Sequence, residues 1–368
     1  MGAIISSCWA NLPPLTDILL PTPEVYRTLL NIFQYFPLFT TIQWLTAWHP
    51  AGKTSLKRSI FNLPGRWAWF AMEITSPLNL LYILWKLPSK LDLPESYSLP
   101  WQNKLLAALF VAHYLNRAVI SPFLAAPSMS PIHLFIMTSA MLFNWFNSTC
   151  LACWLVGYEI PTIPAYHHAY RPSGTGAATI QSLGVLIFLG GMATNIYAER
   201  TLFRLRREEA ARRAASSSSS SPEANSRSQS DRKGEPPSTS KVYILPPKSH
   251  PLFSAILYPH YLAEWIEWTG FALAGTMVRS ISSVGWGGLA AATASSARAA
   301  PLRLAPWLLP FAKGAAYAGL SVPVPAVVFV VNAVTNMLPH ARWGRRWYQV
   351  WRWREVFVPY NTIFSCDD

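Results

Sequence analysis

The chain has 368 residues, of which 51% are hydrophobic, 14% aromatic and only 13% charged, with a mean hydropathy of +0.21. Soluble domains carry about 25% charged residues, so this composition excludes an ordinary water-soluble globule. It points to an integral membrane protein whose 17 Trp suit membrane interfaces. The net charge of +13 falls between apolar runs, near 53–66, 200–248 and 342–354. Basic loops of this kind face anionic lipid or a phosphorylated cofactor, and nucleic acid is the weakest partner class.

Runs of roughly 20 apolar residues span a bilayer as helices. Seven are expected, at 26–46, 67–87, 104–124, 132–156, 177–197, 253–275 and 321–338. The expectation is an all-α integral membrane protein with about seven transmembrane helices in one bundle. Residues 1–25 hold no Lys or Arg, whereas 47–66 hold Lys53, Lys57, Arg58 and Arg66, and 198–252 hold eleven basic residues. The positive-inside rule then places the N-terminus in the lumen and the C-terminus in the cytosol. That orientation argues against N-myristoylation, although Met1-Gly-Ala-Ile-Ile-Ser6 fits the pattern.

The first polar block in chain order is Trp69-Phe-Ala-Met-Glu73. A carboxylate in an apolar run is driven toward its neutral form, and a neutral acid can donate a hydrogen bond to a carbonyl oxygen. The second is His113-Tyr114-Leu-Asn-Arg117, with His113 and Arg117 four apart on one helix face. Arg117 in a span needs an anionic partner, for which a phosphate or Glu73 would serve. Cys150 and Cys153 form a CxxC inside an apolar run without Gly or His nearby, so packing is expected and neither redox chemistry nor a metal site.

The third block runs from Gly190 to Arg206. Asn195, Glu199 and Arg206 recur there at helical spacing, where amide and carboxylate can read an adenine or ribose and Arg a phosphate. Residues 207–240, rich in Ser, Pro, Glu and Arg, read as a disordered linker between an N-terminal membrane part (1–206) and a C-terminal one (241–368). The fourth block, His260-Tyr-Leu-Ala-Glu264-Trp-Ile-Glu267-Trp268, sets two carboxylates one helical turn apart at the edge of a span. Residues 276–320, rich in Ala, Gly and Ser, allow a hydrophobic hairpin, an extra helix or a floppy loop. The tail from Asn336 to Tyr348 alternates basic and aromatic residues. No GxGxxG, P-loop, HExxH or GxSxG occurs.

In order and spacing these blocks resemble the steroid 5-alpha-reductase family, which includes polyprenol reductases and very-long-chain enoyl-CoA reductases. The resemblance covers about two-thirds of the chain and is strongest at Gly191–Arg206, Tyr243–Ala274 and Asn336–Tyr348. It implies a membrane enzyme of the endoplasmic reticulum that uses NADPH to reduce a carbon–carbon double bond conjugated to a carbonyl in a lipophilic substrate. It further implies that Glu73 and Tyr114 polarise the carbonyl. Trp69, Arg117, Asn195, Glu199, Arg206, Tyr243, His260, Glu264 and Tyr348 match positions of the cofactor pocket. The chain departs from the family at Trp343, Gly344 and Arg345, where histidines are usual, and at Ala125 and Ser128, where basic and amide residues are usual. The alternatives are a non-enzymatic membrane scaffold and a helical-bundle lipid methyltransferase. Glu73 and Tyr114 together favour the reductase. Steroid, polyprenal and enoyl thioester all carry the required carbonyl, and oligomeric state is not legible.

Overall fold

A computed structural model describes residues 13–45, 59–95, 97–163, 175–219, 244, 246, 250–281 and 300–357, the side chains of 175, 177, 217–219 and 347–357 excepted. Tyr243 lies outside these residues, and of Tyr348 only the backbone is described.

Helix α1 is Pro23–Gln34. The Thr22 hydroxyl caps it by accepting from the Val25 N–H at 3.3 Å, and Pro23 presets its first turn. The helix stops at Tyr35, because Pro37 follows and the chain tightens into a 3₁₀ turn at Phe36–Phe39 before a short helix at Thr40–Leu45. Helix α2 is Gly65–Lys90 and α3 is Trp101–Leu115. α3 continues without a break as a π-helix over Asn116–Ala125. Pro122 lies in that stretch, and a proline ring in an α-helix would clash with the carbonyl four residues back. The wider π turn accommodates it. Helix α4, Leu134–Val156, ends at Gly157, whose φ of 113° is open to glycine at low cost. Helices α5 (Thr175–Ser219), α6 (Pro259–Gly275) and α7 (Val324–Phe357) complete the long elements.

Two pairs of two-residue strands tie the loops. β1 (Asn62–Leu63) pairs antiparallel with β2 (Ile132–His133), Asn62 opposite His133. β3 (Thr162–Ile163) pairs parallel with β4 (Leu302–Arg303). Between the helices lies one main apolar core. It includes Tyr26, Leu30 and Phe33 of α1, Leu80 and Ile83 of α2, Phe110 of α3, Leu151 of α4, Phe188 of α5, Trp268 and Phe271 of α6, and Val328 of α7. Cys150 and Cys153 are free thiols buried in it, in keeping with the packing role expected of them.

α5 and α6 cross at backbone contact. A Cβ on Gly184 would lie 2.4 Å from the Ala274 nitrogen, and one on Gly191 would lie 2.5 Å from the Glu267 nitrogen. Small residues permit this approach, a packing mode common between membrane helices.

The seven expected spans are not reproduced as such. Among the described residues, three helices are long and apolar enough to cross a membrane: Trp101–Ala125, Ala178–Ser216 and Val324–Arg346. The segment 26–46 is broken at Tyr35, and α6 has 17 residues, short of the roughly 20 that a span needs. α2 and α4 have the length, but Glu73, Thr75, Ser76 and Asn79 in the one, and Asn144, Asn147, Ser148 and Thr149 in the other, dilute their apolar character. Those polar groups face protein: Asn79 Nδ2 donates to Ser148 Oγ at 2.9 Å and Thr149 Oγ1 at 2.8 Å.

The structure adds to the reading of two further segments. α5 continues past Arg206 to Ser219, so the first part of the Ser-rich stretch is helical, supported by Glu209 bonds to Arg212 and Arg213. Residues 220–240 lie outside the described residues. Within 276–320, the described part includes a buried closing segment, with Leu302, Leu304, Ala305, Leu308 and Ala312 all in the core, followed by a short helix at Leu309–Tyr317. Gln34 clamps it: its Oε1 accepts from the Ala305 N–H at 2.8 Å and its Nε2 donates to the Arg303 carbonyl at 2.9 Å. Residues 282–299 lie outside the described residues.

Candidate active site

A chain of buried ionisable groups runs between α2, α3 and α6. Arg117, the second residue of the π-helix, donates from Nε to Glu73 Oε1 of α2 at 3.2 Å and from Nη1 to Glu264 Oε2 of α6 at 3.3 Å. Glu264 Oε1 lies 4.0 Å from His113 Nε2, and His113 Nδ1 is 2.6 Å from Glu267 Oε1. All three carboxylates are buried, Glu267 completely. The sequence makes this possible by spacing alone. His113 and Arg117 share a face one turn apart, and so do Glu264 and Glu267, so two pairs meet where α3 crosses α6.

The polar groups that hold Arg117 leave it little freedom. Its guanidinium stands 5.1 Å from the Trp69 ring centre, and the Trp69 indole N–H donates to the Arg117 carbonyl at 3.0 Å. A buried carboxylate without a cation would be costly, and here one cation serves two. Glu73 was one of the two partners that Arg117 was expected to need, and the structure gives it that guanidinium, because the chain path brings α3 alongside α2.

Tyr114 lies beside this network. Its hydroxyl donates to Asn144 Oδ1 at 3.3 Å, and Asn144 Nδ2 donates to the carbonyl of Met72, the residue before Glu73. Phe110 and Trp268 pack on the Tyr114 ring at centroid distances of 4.7 and 6.4 Å. The phenol and the Glu73 carboxylate are thus aimed into one buried region from neighbouring helices.

The other expected residues gather at the end of the bundle where α3 and α5 leave the core. Ser121 Oγ donates to Glu199 Oε2 at 2.7 Å, tying the π-helix to α5. Asn195, one turn before Glu199, is half-buried and makes no hydrogen bond among the described residues. The buried Nε of Arg206 and Nδ1 of His260 have no hydrogen-bond partner among the described residues. Arg206 brings a cationic donor to this place, and a phosphate would supply its missing acceptor. That donor therefore fits a phosphorylated group. Tyr243 and the Tyr348 side chain cannot be placed with it.

Four residues belong to this region that the sequence reading did not assign to the site. His113 and Glu267 complete the buried chain. Their signal was present in the spacing to Arg117 and Glu264. Tyr261 hydroxyl and His340 Nδ1 lie 2.5 Å apart, with their rings stacked, and Tyr261 also stacks on Tyr258 at 5.2 Å. No local pattern announces that pair, since 79 residues separate its members. At Gly344, where a histidine is usual in the family resemblance, any Cβ would fall 1.7 Å from the Tyr258 hydroxyl oxygen. Glycine is thus part of how α7 accepts Tyr258. Ala125 is buried against Phe203 and Ala126, and its carbonyl accepts from Arg207, so a basic side chain at that position would have no room.

No family model matches the sequence. An uncharacterized protein of Schizosaccharomyces pombe is 30% identical over 259 residues, which cover 68% of this chain and 81% of that protein. The 3-oxo-5-alpha-steroid 4-dehydrogenase 1 of Bos taurus is 25% identical over 231 residues, 62% of this chain and 71% of its own. The 3-oxo-5-alpha-steroid 4-dehydrogenase 2 of Rattus norvegicus is 29% identical over 221 residues, 60% of this chain and 66% of its own.

Proposed function

We propose, on the premise that this chain belongs to one family with the S. pombe protein and is a distant relative of the steroid 4-dehydrogenases, that it is a membrane reductase. Its reaction is the NADPH-dependent reduction of a carbon–carbon double bond conjugated to a carbonyl in a lipophilic substrate. The observation that carries this reading is the juxtaposition of Tyr114 and Glu73 in a buried region beside Arg117, with the buried Arg206 Nε left without a partner among the described residues.

NADPH supplies the hydride when bound. Arg117, Arg206 and His260 would hold its phosphates, with Asn195 and Glu199 toward ribose or base. Addition at the β carbon of an enone shifts negative charge onto the carbonyl oxygen. Donors aimed at that oxygen lower the barrier because they need no reorganisation as the charge appears. The Tyr114 hydroxyl is one donor, since its 3.3 Å bond to Asn144 is long and readily exchanged for a substrate oxygen. Glu73, whose Oε1 accepts from Arg117, faces the same region from α2 and is the second group assigned to that oxygen. Burial keeps water from the site, which protects the hydride step. The residue roles, the endoplasmic reticulum and a cytosolic C-terminus are parts of the same proposal.

The test is NADPH oxidation by the detergent-purified protein against a 4-ene-3-ketosteroid, a polyprenal and a trans-2-enoyl-CoA. Consumption with one of them is expected. Glu73→Gln is expected to lower kcat by about 10²–10³-fold, the scale of disturbing one group that acts on that oxygen, with NADPH affinity little changed. Equal loss of turnover and binding would make Glu73 structural. Absent NADPH binding in the wild-type protein would favour the non-enzymatic scaffold.

A further inference from the structure

The pair His113–Glu267 makes no hydrogen bond to either of the two groups assigned to the carbonyl, although the His113 ring meets the Tyr114 ring edge-on at 5.2 Å, and it is the shortest and most deeply buried contact of the network. His113 is 4% exposed and Glu267 0%, and their atoms stand 2.6 Å apart. Each partner sits at a critical place. His113 precedes Tyr114 and lies one turn before Arg117, where α3 passes into the π-helix. The Glu267 backbone is pressed against Gly191 of α5, one turn before Asn195 and two before Glu199. The His113 ring packs against the Trp268 ring, tilted 57° to it, with centres 4.5 Å apart. A change of this pair therefore bears on three helices at once.

We propose that His113 and Glu267 are positioning residues that fix the register of α3 against the α5–α6 pair, and so set where Tyr114 and Arg117 point. The catalytic meaning of that register rests on the reductase reading. The physical need for it does not. A π-helix has poorer internal geometry than an α-helix and is usually held in place by its surroundings. The Asn116–Ala125 stretch is held along its length by Arg117 with its two carboxylates, the Trp69 indole on the Arg117 carbonyl, Ser121 with Glu199, the Phe123 ring on Trp67 and Phe70, and the carbonyls of Pro122 and Ala125 with Arg66 and Arg207. His113–Glu267 anchors the α-helical turn from which this stretch departs.

Substitution alone does not separate positioning from stability, because removing one partner strands the other in the core. An apolar pair separates them. Replacing both members of a buried ion pair by hydrophobic residues is often neutral or stabilising. Four proteins are compared: wild type, Glu267→Leu, Glu267→Gln, and the double variant Glu267→Leu with His113→Phe. Melting temperature, hydrogen–deuterium exchange over residues 113–125, and kcat with an accepted enone are measured on each full-length protein.

Glu267→Leu is expected to lower the melting temperature, speed exchange over 113–125 and cut kcat by about 100-fold, the effect of misplacing a reacting group by about 1 Å. Glu267→Gln, whose amide oxygen still accepts from the imidazole, is expected to keep most of the protection and activity. The double variant is expected to regain melting temperature but not the protection or kcat. Recovery of all three in the double variant would overturn the proposal, leaving the pair a mere contribution to stability. Unchanged exchange over 113–125 in Glu267→Leu would overturn it as well, and so would a Gln variant as impaired as Leu. Exchange is read without substrate or cofactor. A wild-type protein that consumes no NADPH would sink the reductase reading and still allow this proposal to be decided.

Discussion

Arg117 shows how much one side chain can carry. Its guanidinium bonds Glu73 and Glu264 at 3.2 and 3.3 Å, and Arg alone presents donors in a fork that reaches two carboxylates on different helices. Arg117→Met leaves both acids without a cation and is expected to cost about 3–5 kcal/mol of stability, the usual result of breaking a buried pair. Arg117→Lys should fall between the two, since an ammonium cannot reproduce the fork. Thermal melts of the detergent-solubilised variants check this. A wild-type melting temperature for Arg117→Met would mean that the carboxylates do not need it. The identity of these residues, and their pairing by helical spacing, was legible in the chain. The partnership of Glu73 with Arg117 was not decided there. A phosphate served the same electrostatic need, and only the path of α3 chooses between them.

Among elements, the α5–α6 crossing is the most demanding. Gly191 and Gly184 face backbone atoms of α6 at distances that leave no room for a Cβ, whereas Gly190 meets nothing within 4 Å. Gly191→Val is therefore expected to reduce the yield of folded protein severely, and Gly190→Ala to leave it unchanged or slightly raised, since Ala favours helix by about 1 kcal/mol over Gly. Size-exclusion profiles after extraction distinguish the two. Equal tolerance at both positions would contradict the close crossing. The sequence placed helices near all the long elements, because apolar runs of that length have few other solutions. It missed the break at Tyr35, where Pro37 was present but a single Pro does not always end a helix. It also missed the π-helix, whose wide turn follows from Pro122 and from the carbonyl acceptors that Arg66 and Arg207 use.

For the molecule as a whole, the segment after residue 300 matters more than its Ala- and Gly-rich composition suggested. Gln34 holds Ala305, Arg303 and Trp307 through three hydrogen bonds, two of them from its side chain, and without that side chain the buried Ala305 N–H would be unpaired. Gln34→Leu is expected to destabilise the protein by about 1–3 kcal/mol, the cost of stranding such groups. A thermal melt indistinguishable from wild type would show that 300–312 is not held there. By contrast, deletion of 221–238 is expected to leave expression and melting temperature intact, because a Ser-, Pro- and charge-rich surface segment contributes little to a core. Loss of expression would refute the linker assignment. In sealed microsomes, protease added outside should cut within 221–240 if the basic loop faces the cytosol. Protection from it would reverse the proposed orientation.

The sequence by itself determined the class of molecule, the approximate position of its helices and the residue types that carry charge into the apolar interior. These follow from composition and from a 3.6-residue period, both of which are local. Only the tertiary structure decided which charges neutralise one another, that His113 joins Glu267 and Tyr261 joins His340, and that 300–312 closes part of the core. These pairings join groups 44 or more residues apart. Each was one of several ways to satisfy the same buried group. The choice among them is made by helix crossing, where a glycine admits a neighbouring backbone and the side chains on either side are brought within reach.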